Sequence, residues 1–175
     1  MTKVARWVLD DCKYALTRHS DSLQGEDFRM SWVTIVALLR AVGHVLDKVD
    51  ASSDPRIAKA VKEEWAKLKA TKPEPRILWE FIEQERNNVL KLYQIGVDRG
   101  IRIKGPEIAN KGTIVEIDHT KSRGGRGFSP GAENFSYIRS GTFAKRPERE
   151  VAREAIKFWE DFLDRIDRIV GLAGT

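Results

Sequence analysis

Hydrophobic residues recur at helical spacing along most of the chain. Near the amino terminus, Ala5, Cys12 and Leu16 share one face of a first predicted helix over about residues 3–19. The segment 28–49 is apolar almost all round, which is typical of the central helix of a bundle. Three further helices are predicted to begin at Pro55, after Pro75 and near Pro147, and the last two of these to end near Gly96 and Gly171.

The hydrophobic period changes after Arg99. Hydrophobic and polar residues alternate in 101–104 and again in 113–117, and glycine-containing turns separate the two segments, so this region predicts a β-hairpin. Residues 135–139 are a candidate third strand. The predicted fold is therefore mainly α: a helical bundle of about five helices, with a small antiparallel β-hairpin or three-stranded insertion at about 99–146, before the last helix.

Length and composition favour one soluble domain over residues 1–175, since 41% of the residues are hydrophobic and 33% are charged. The longest apolar stretch, Trp32 to Leu46, contains polar residues and is shorter than the ~20 residues of a membrane span. The amino terminus lacks the apolar run and cleavage site of a signal peptide. The single cysteine, Cys12, excludes an intramolecular disulfide. We therefore predict a cytoplasmic protein with no membrane association.

The net charge of +5 is concentrated in the insertion. Between Arg99 and Arg146 there are ten Lys or Arg and four Asp or Glu, a net charge of +6, which leaves −1 for the rest. Such a segment is either a solvated basic loop or a contact for an anionic partner, such as an RNA or DNA backbone or an acidic protein. For a nucleic acid, the predicted phosphate contacts are Arg99, Arg102, Lys104, Lys121, Arg123 and Arg126.

Two groups of polar residues interrupt apolar helices. Glu85 and Arg86 lie in the middle of the apolar face of the fourth helix, where a buried charge requires a partner. On the central helix, Arg40, His44 and Asp47 are spaced i, i+4 and i+7 and so share one side. We expect Glu85 to be buried and paired with a cation, first Arg40 and then His44 or Arg86. This network is either a structural salt bridge or a ligand-binding pocket.

Other chemistries lack the residues they need. Glu80 and Glu83 have no histidine three residues on, as a di-metal bundle site requires, and the three histidines lie far apart in sequence. No metal site or cofactor is therefore expected. The chain contains no nucleophile elbow and no P-loop. Cys12 lies on a helix face beside Asp10 and Asp11, which indicates a packing residue rather than a nucleophile.

The segment 85–91 resembles the signature of the HEPN superfamily, which comprises all-helical toxins, defence nucleases and inactive relatives. That signature is an Arg on a late helix, often followed by Asn, and then a His after a few variable residues. Arg86 and Asn87 match it, and Lys91 stands where the His would be. The resemblance implies a helical bundle and a two-fold homodimer with this helix at or near the interface. The chain as a whole also resembles conserved bacterial proteins to which no activity is assigned.

Active family members cleave RNA with Arg and His from two protomers, and a lysine ammonium is a poor general base near neutral pH. The resemblance therefore implies a weak or inactive module that binds nucleic acid or a macromolecular partner in bacterial defence or toxin–antitoxin biology. One alternative is an active ribonuclease that uses Arg86 and Asn87 with His44 or Lys91. Others are an interaction module whose basic hairpin docks an acidic protein, and a small-ligand binder built on the predicted Arg40–Glu85 network.

Overall fold

The computed structural model describes residues 1–103, 114–115 and 132–172, and five helices contain most of them. The mainly helical fold predicted from the hydrophobic pattern is confirmed. The helices are α1 (Lys3–Arg18), α2 (Gly25–Val45), α3 (Pro55–Ala70), α4 (Ile77–Ile82, Glu83–Asn87 and Asn88–Leu92 in succession) and α5 (Glu148–Leu172). A π-helical turn, Leu46–Asp50, and a short helical turn, Ala51–Ser53, extend α2 towards α3.

The helix ends follow the local chemistry of the sequence. Asp54 caps α3 by accepting a hydrogen bond from the backbone N of Arg56 at 2.9 Å, and Pro55 occupies the first helical position. Helix α2 begins three residues earlier than the predicted residue 28. Its first turn contains Glu26 and Asp27, whose negative charges are favourable at a helix amino terminus.

Helix α4 ends earlier than predicted. It contains two π-helical stretches around the regular segment Glu83–Asn87, and helical structure stops at Leu92 rather than near Gly96. Tyr93 adopts a left-handed backbone conformation (φ 51°), and the backbone N of Gln94 donates to the carbonyl oxygen of Asn88 at 3.0 Å. A left-handed residue reverses the chain direction, so the four residues after Leu92 lead into the sheet instead of extending the helix.

The hydrophobic core lies where α2 and α5 face each other and the other helices pack around them. Its largest fully buried side chains include Trp32 and Leu39 from α2 and Trp159, Phe162 and Ile166 from α5. Helix α2 buries six residues, Phe28, Trp32, Ile35, Val36, Leu39 and Val42, and burial of this shared apolar surface is the main driving force that holds the bundle together.

The three strands form an antiparallel sheet in the order β2-β1-β3. Strand β1 (Val97–Ile103) pairs with β3 (Ala132–Ile138) along its whole length, and it pairs with β2 (Ile114–Val115) at two positions. The antiparallel sheet predicted before the last helix is therefore confirmed. Strand β1 begins four residues before the predicted 101, since residues 97–100 pair with the end of β3.

Backbone hydrogen bonds and apolar side chains attach the sheet to the bundle. The backbone N of Ile138 donates to the carbonyl oxygen of Arg146 at 2.9 Å, and that of Arg139 donates to the carbonyl oxygen of Gly96 at 2.8 Å. Val97 and Ile138 are buried in the core cluster. The ends of β1 and β3 nearest the bundle are thus fixed to it.

By length and composition alone, the continuous helix Gly25–Ser53 is apolar enough to cross a membrane. Its most apolar window has a mean hydropathy of 1.3 and is 33% buried within the protein. The core helix of a soluble protein can meet the same criteria of length and composition.

Candidate functional site

Glu85 is buried as predicted, with 6% of its surface exposed. Its Oε1 accepts hydrogen bonds from Trp32 Nε1 at 3.0 Å and from the backbone N of Gly96 at 2.8 Å. Within the described part of the chain, its carboxylate forms no ion pair with Lys, Arg or His. The prediction that a cation neutralises Glu85 is therefore wrong, because two neutral N–H donors satisfy this carboxylate.

The register of α2 explains why the predicted cations do not reach Glu85. The hydrogen bond from Trp32 places Glu85 at the level of that residue along α2. Arg40 lies eight residues after Trp32 and His44 lies twelve residues after it. At a rise of 1.5 Å per residue, these residues are about 12 and 18 Å from Trp32 along the axis of α2. A network that joins Glu85 to Arg40 or His44 is therefore not formed.

The residues that resemble the HEPN signature do not form a catalytic pair within one chain. Arg86 donates from Nη1 to Asn87 Oδ1 at 2.8 Å, and its buried Nε has no hydrogen-bond partner among the described residues. Lys91 is exposed on the last turn of α4. Since Arg86 follows Glu85 directly, His44 is again about 18 Å away along α2. The structure therefore gives no support for a combination of Arg86 with His44 in one protomer.

Arg99 is not a free phosphate contact, which corrects the sequence prediction. Its Nη2 donates to the carbonyl oxygen of Asp21 at 2.9 Å, and its guanidinium lies 4.4 Å from the centroid of the Phe28 ring. Burial lowers the pKa of Arg99, and the nearby carboxylates of Asp21 and Glu148 oppose that effect. Of the other predicted contacts, Arg102 lies in β1, and Lys104, Lys121, Arg123 and Arg126 lie outside the described residues.

A polar cluster that sequence reasoning missed lies between the sheet and the bundle. His19 is fully buried, with Ser31 Oγ 3.0 Å from its Nδ1 and Glu148 Oε1 3.3 Å from its Nε2. Ser136 Oγ lies 2.8 Å from both Asp21 Oδ1 and Glu148 Oε1. The order hydroxyl, imidazole, carboxylate is that of a hydrolase triad, but the imidazole is closed off from solvent. The cluster is therefore suited to attaching β3 and α5 to the end of α1.

Arg40, His44 and Asp47 line one cavity of about 310 Å³. It lies at the end of α2, between α3 and α5. The spacing of the three residues indicated that they share one side of the helix, and α3 and α5 supply the opposite walls. The other lining residues are Gly43, Leu46, Val61, Trp65, Lys69, Trp159 and Phe162.

A second cavity of about 560 Å³ adjoins the first along α3. Both are lined by Asp47, Val61, Trp65 and Lys69, and Lys62 lines the second alone. Because they share these four lining residues, we call the two cavities together the α2–α3 groove. Its two parts have the size of ordinary ligand-binding clefts, about 300–1,000 Å³.

The basic side chains of the α2–α3 groove are unpaired within the described residues. Arg40, His44, Lys62 and Lys69 form no hydrogen bond, ion pair or ring contact through their side chains with any residue in the described ranges. The carboxylate of Asp47 is held 2.8 Å from Lys48 Nζ, its neighbour in sequence. Arg40, Lys62 and Lys69 outnumber the single Asp47 carboxylate, whose charge Lys48 partly offsets, so the groove has a net positive potential that favours an anionic ligand.

Aromatic rings form the wall of the same groove. Trp65 is half-buried and stacks on Trp159, with ring centroids 6.5 Å apart and an interplanar angle of 14°. The edge of Phe162 approaches Trp65 at 5.8 Å, and Trp79 lies 6.1 Å away with Lys72 Nζ 3.7 Å above its ring. These contacts hold the half-buried Trp65 ring, which lines both parts of the groove, in place.

Gly43 allows α2 to approach this wall. A Cβ atom at Gly43 would lie 2.6 Å from Cη2 of Trp159, whose side chain is fully buried. The buried Nε1 of Trp159 has no hydrogen-bond partner among the described residues. The close packing of α2 on α5 at this point therefore requires a residue without a side chain at position 43.

Metal and thiol chemistry receive no support from the geometry. Within the described part of the chain, no group of three or more His, Cys, Asp or Glu side chains is placed to hold a metal ion. Burial raises the pKa of the Cys12 thiol to about 12, and its Sγ lies 3.8 Å from the carbonyl oxygen of Ile35. Cys12 is thus protonated at neutral pH and packs in the core.

Comparison of the chain with protein-family models, with curated proteins and with solved structures finds no match.

Proposed function

We propose that this protein is a non-catalytic helical module that binds nucleic acid through the α2–α3 groove. The observation that supports this most is the combination of three cations that are unpaired within the described residues, Arg40, Lys62 and Lys69, with His44 and the aromatic ring of Trp65. Phosphates are recognised by such cations, and bases are recognised by aromatic faces. A ligand that carries both groups uses the whole groove, whereas a simple anion uses only its rim.

The charge distribution supports the same proposal. The insertion carries a net charge of +6, so a basic segment accompanies the groove in the same chain. Contacts to phosphates alone give binding with little sequence preference and strong salt dependence. The proposed ligand is therefore an RNA or DNA strand held mainly through its backbone.

The proposal of an inactive module rests on the distance between the candidate catalytic groups. Arg86 and Asn87 bond to each other, Lys91 is exposed, and His44 is about 18 Å from Arg86 along α2. In line with the HEPN resemblance, the proposal includes a homodimer with α4 near its interface, a cytoplasmic location, and a role in bacterial defence or toxin–antitoxin biology. The resemblance alone motivates that biological context.

Fluorescence anisotropy with labelled RNA and DNA oligonucleotides tests this proposal. We expect binding at about 50 mM salt that weakens linearly in a log–log plot as salt increases. The double variant Arg40→Ala with Lys69→Ala should weaken binding and reduce the slope by about 1.4, since each cation that no longer neutralises a single-strand phosphate lowers it by ~0.7. Lys59→Ala removes an exposed charge from α3 outside the groove and is the control. Absence of any binding at low salt would contradict the proposal.

A second candidate, a protein-interaction module, is favoured by one surface. The end of α4 exposes Leu90, Leu92 and Tyr93 by 58%, 62% and 68%, on both sides of exposed Lys91. Adjacent exposed apolar residues are typical of protein contact sites. If the protein does not retain nucleic acid, this function replaces the first, and an acidic protein is the expected partner of the basic insertion.

A further inference from the structure

We propose that the α2–α3 groove selects single-stranded nucleic acid, with one unpaired base stacked on Trp65 and the flanking phosphates bound by Arg40 and Lys69. This inference rests on the proposed function, which it makes more specific. It commits to a strand whose bases are free to leave a helical stack, and it excludes an intact duplex as the preferred ligand.

Trp65 lies where the two parts of the groove meet. It lines both the cavity of about 310 Å³ and the cavity of about 560 Å³, together with Lys69. A ligand that extends through the groove therefore passes this ring. Arg40 lines only the first part and Lys62 only the second, so a cation lies on each side of the tryptophan.

The Trp65 ring is held in place before any ligand binds. Trp159 stacks on it, and Phe162 and Trp79 approach it at 5.8 and 6.1 Å. A fixed ring loses little conformational freedom when a base stacks on it, which favours binding. Base stacking on aromatic side chains tolerates any sequence because every base has a flat π face.

A duplex cannot use this surface without being opened. Its bases are already stacked and paired, so a base reaches a side-chain platform only after it has been unpaired and rotated out of the helix. A duplex therefore contacts Arg40, Lys62 and Lys69 through phosphates but leaves Trp65 unused. A single strand engages the cations and the ring together.

Asp47 limits where the phosphates bind. Its carboxylate lines both parts of the groove and remains a local negative charge although Lys48 Nζ lies 2.8 Å away. A phosphate is therefore favoured near Arg40 or Lys69 rather than beside Asp47. This spacing leaves the centre of the groove, at Trp65, to the uncharged base.

Tryptophan fluorescence of the full chain tests this inference. The background variant Trp7→Phe removes the exposed tryptophan on α1, so that quenching reports on the remaining four. The probes are one RNA single strand, the same sequence as a blunt duplex, and inorganic polyphosphate. We expect the single strand to quench the fluorescence and to bind about tenfold more tightly than the duplex. Polyphosphate should bind without that quenching.

Variants in the same background separate the contribution of base stacking from that of phosphate contacts. Trp65→Leu should weaken single-strand binding about tenfold without changing the salt slope. Trp65→Phe keeps a ring and should retain most of the affinity. Lys69→Ala should reduce the slope by ~0.7, and Lys59→Ala should not. The thermal midpoint of each variant is measured in parallel to show that it is folded. If Trp65→Leu does not fold, the inference is tested by the quenching with the single strand and by the salt slopes of Lys69→Ala and Lys59→Ala.

The possible failures are distinguishable. If RNA binds but folded Trp65→Leu retains full affinity, or Lys69→Ala behaves like Lys59→Ala, the groove is not the site and only this inference is wrong. If the duplex or polyphosphate matches the single strand in affinity, recognition is by phosphate alone, which also overturns this inference. If no nucleic acid binds at low salt, both this inference and the proposed function are wrong.

Discussion

Glu85 shows that a buried carboxylate can be satisfied by neutral donors. Trp32 Nε1 and the backbone N of Gly96 both donate to its Oε1, and they connect α2, α4 and the start of the sheet. Because Trp32 is fully buried, its N–H has no access to water if the acceptor is removed. The polar residue in the apolar face of α4 is thus a structural connector.

Replacement of Glu85 should destabilise the protein strongly. Glu85→Ala leaves two N–H groups without an acceptor, at about 1–3 kcal/mol each, so we expect the free energy of unfolding to fall by about 3 kcal/mol. Glu85→Gln keeps an oxygen acceptor and should cost less. Urea denaturation measures both, and Glu83→Ala, a half-buried residue on the same helix, is the control. A decrease for Glu85→Ala no larger than that for Glu83→Ala would contradict this role.

Close packing of α2 on α5 at Gly43 is an element-scale feature that supports the groove wall. Gly43→Ala gains about 1 kcal/mol of helix propensity but forces a methyl group against the fixed ring of Trp159, at about 1–3 kcal/mol. We expect a net loss of stability of about 1 kcal/mol and weaker ligand binding. In Gly171→Ala the new methyl group meets no atom within 4 Å, so this control has the gain in helix propensity without the steric cost and should be slightly stabilising. A stabilised Gly43→Ala protein would show that the ring moves freely.

The amino-terminal cap of α3 should contribute to acid sensitivity. The side chain of Arg56 donates hydrogen bonds to Asp54, and its backbone N also donates, so the pKa of Asp54 is lowered below its usual range. Stability from this carboxylate is therefore complete above its unfolded-state pKa, near 4, and is lost as the pH falls through the lower folded-state value.

The matched variant for this cap is Asp54→Asn, which retains an oxygen for the backbone N but cannot titrate. The difference in thermal midpoint between the parent and this variant should shrink as the pH falls below about 4. Glu63→Gln removes an exposed carboxylate from the same helix and should show no such trend. A difference that stays constant from neutral to acidic pH would argue against the role of the charge.

For the whole molecule, the HEPN resemblance predicts a two-fold dimer with α4 at or near its interface. The exposed residues Leu90, Leu92 and Tyr93 on that helix and just after it are consistent with this prediction. Light scattering at high micromolar concentration should give twice the chain mass of 19.9 kDa. Leu90→Glu with Leu92→Glu should shift the mass to that of one chain, and Met30→Glu, another exposed apolar position, is the control. A monomeric parent protein would contradict the prediction.

The basic insertion should act in binding rather than in stability. The four-fold replacement of Arg102, Lys104, Arg123 and Arg126 by Ala eliminates four predicted partners of backbone phosphates, so the salt slope for single strands should fall by about 2.8. The thermal midpoint should change little, because solvated charges contribute little to stability. If parent and variant bind RNA with equal affinity, the insertion does not contribute to binding and the α2–α3 groove alone is the proposed site.

Regular periodicity made most of the fold predictable. Apolar stripes identified the five helices, and the change to alternation after Arg99 identified the sheet before the last helix. Helix ends were less predictable because single residues determine them. The left-handed conformation of Tyr93 and the π-helical stretches of α4 depend on packing that no short pattern records.

The sequence by itself determined which residues share a helix face, and only the tertiary structure decided which faces meet. Helical spacing placed Arg40, His44 and Asp47 together because it is a local property of one helix. Whether they meet Glu85 depends on the register between α2 and α4, which the hydrogen bond from Trp32 to Glu85 sets.

The cluster around His19 and Ser136 was unpredictable for the same physical reason. Two of its contacts, His19 with Glu148 and Asp21 with Ser136, join residues more than 100 positions apart, and no local period relates such residues. Lys69 and Trp65 of the α2–α3 groove likewise join Arg40 only through packing of α3 against the end of α2. The local spacing of residues thus determines which of them share a helix face, whereas long-range packing determines which faces meet to form a site.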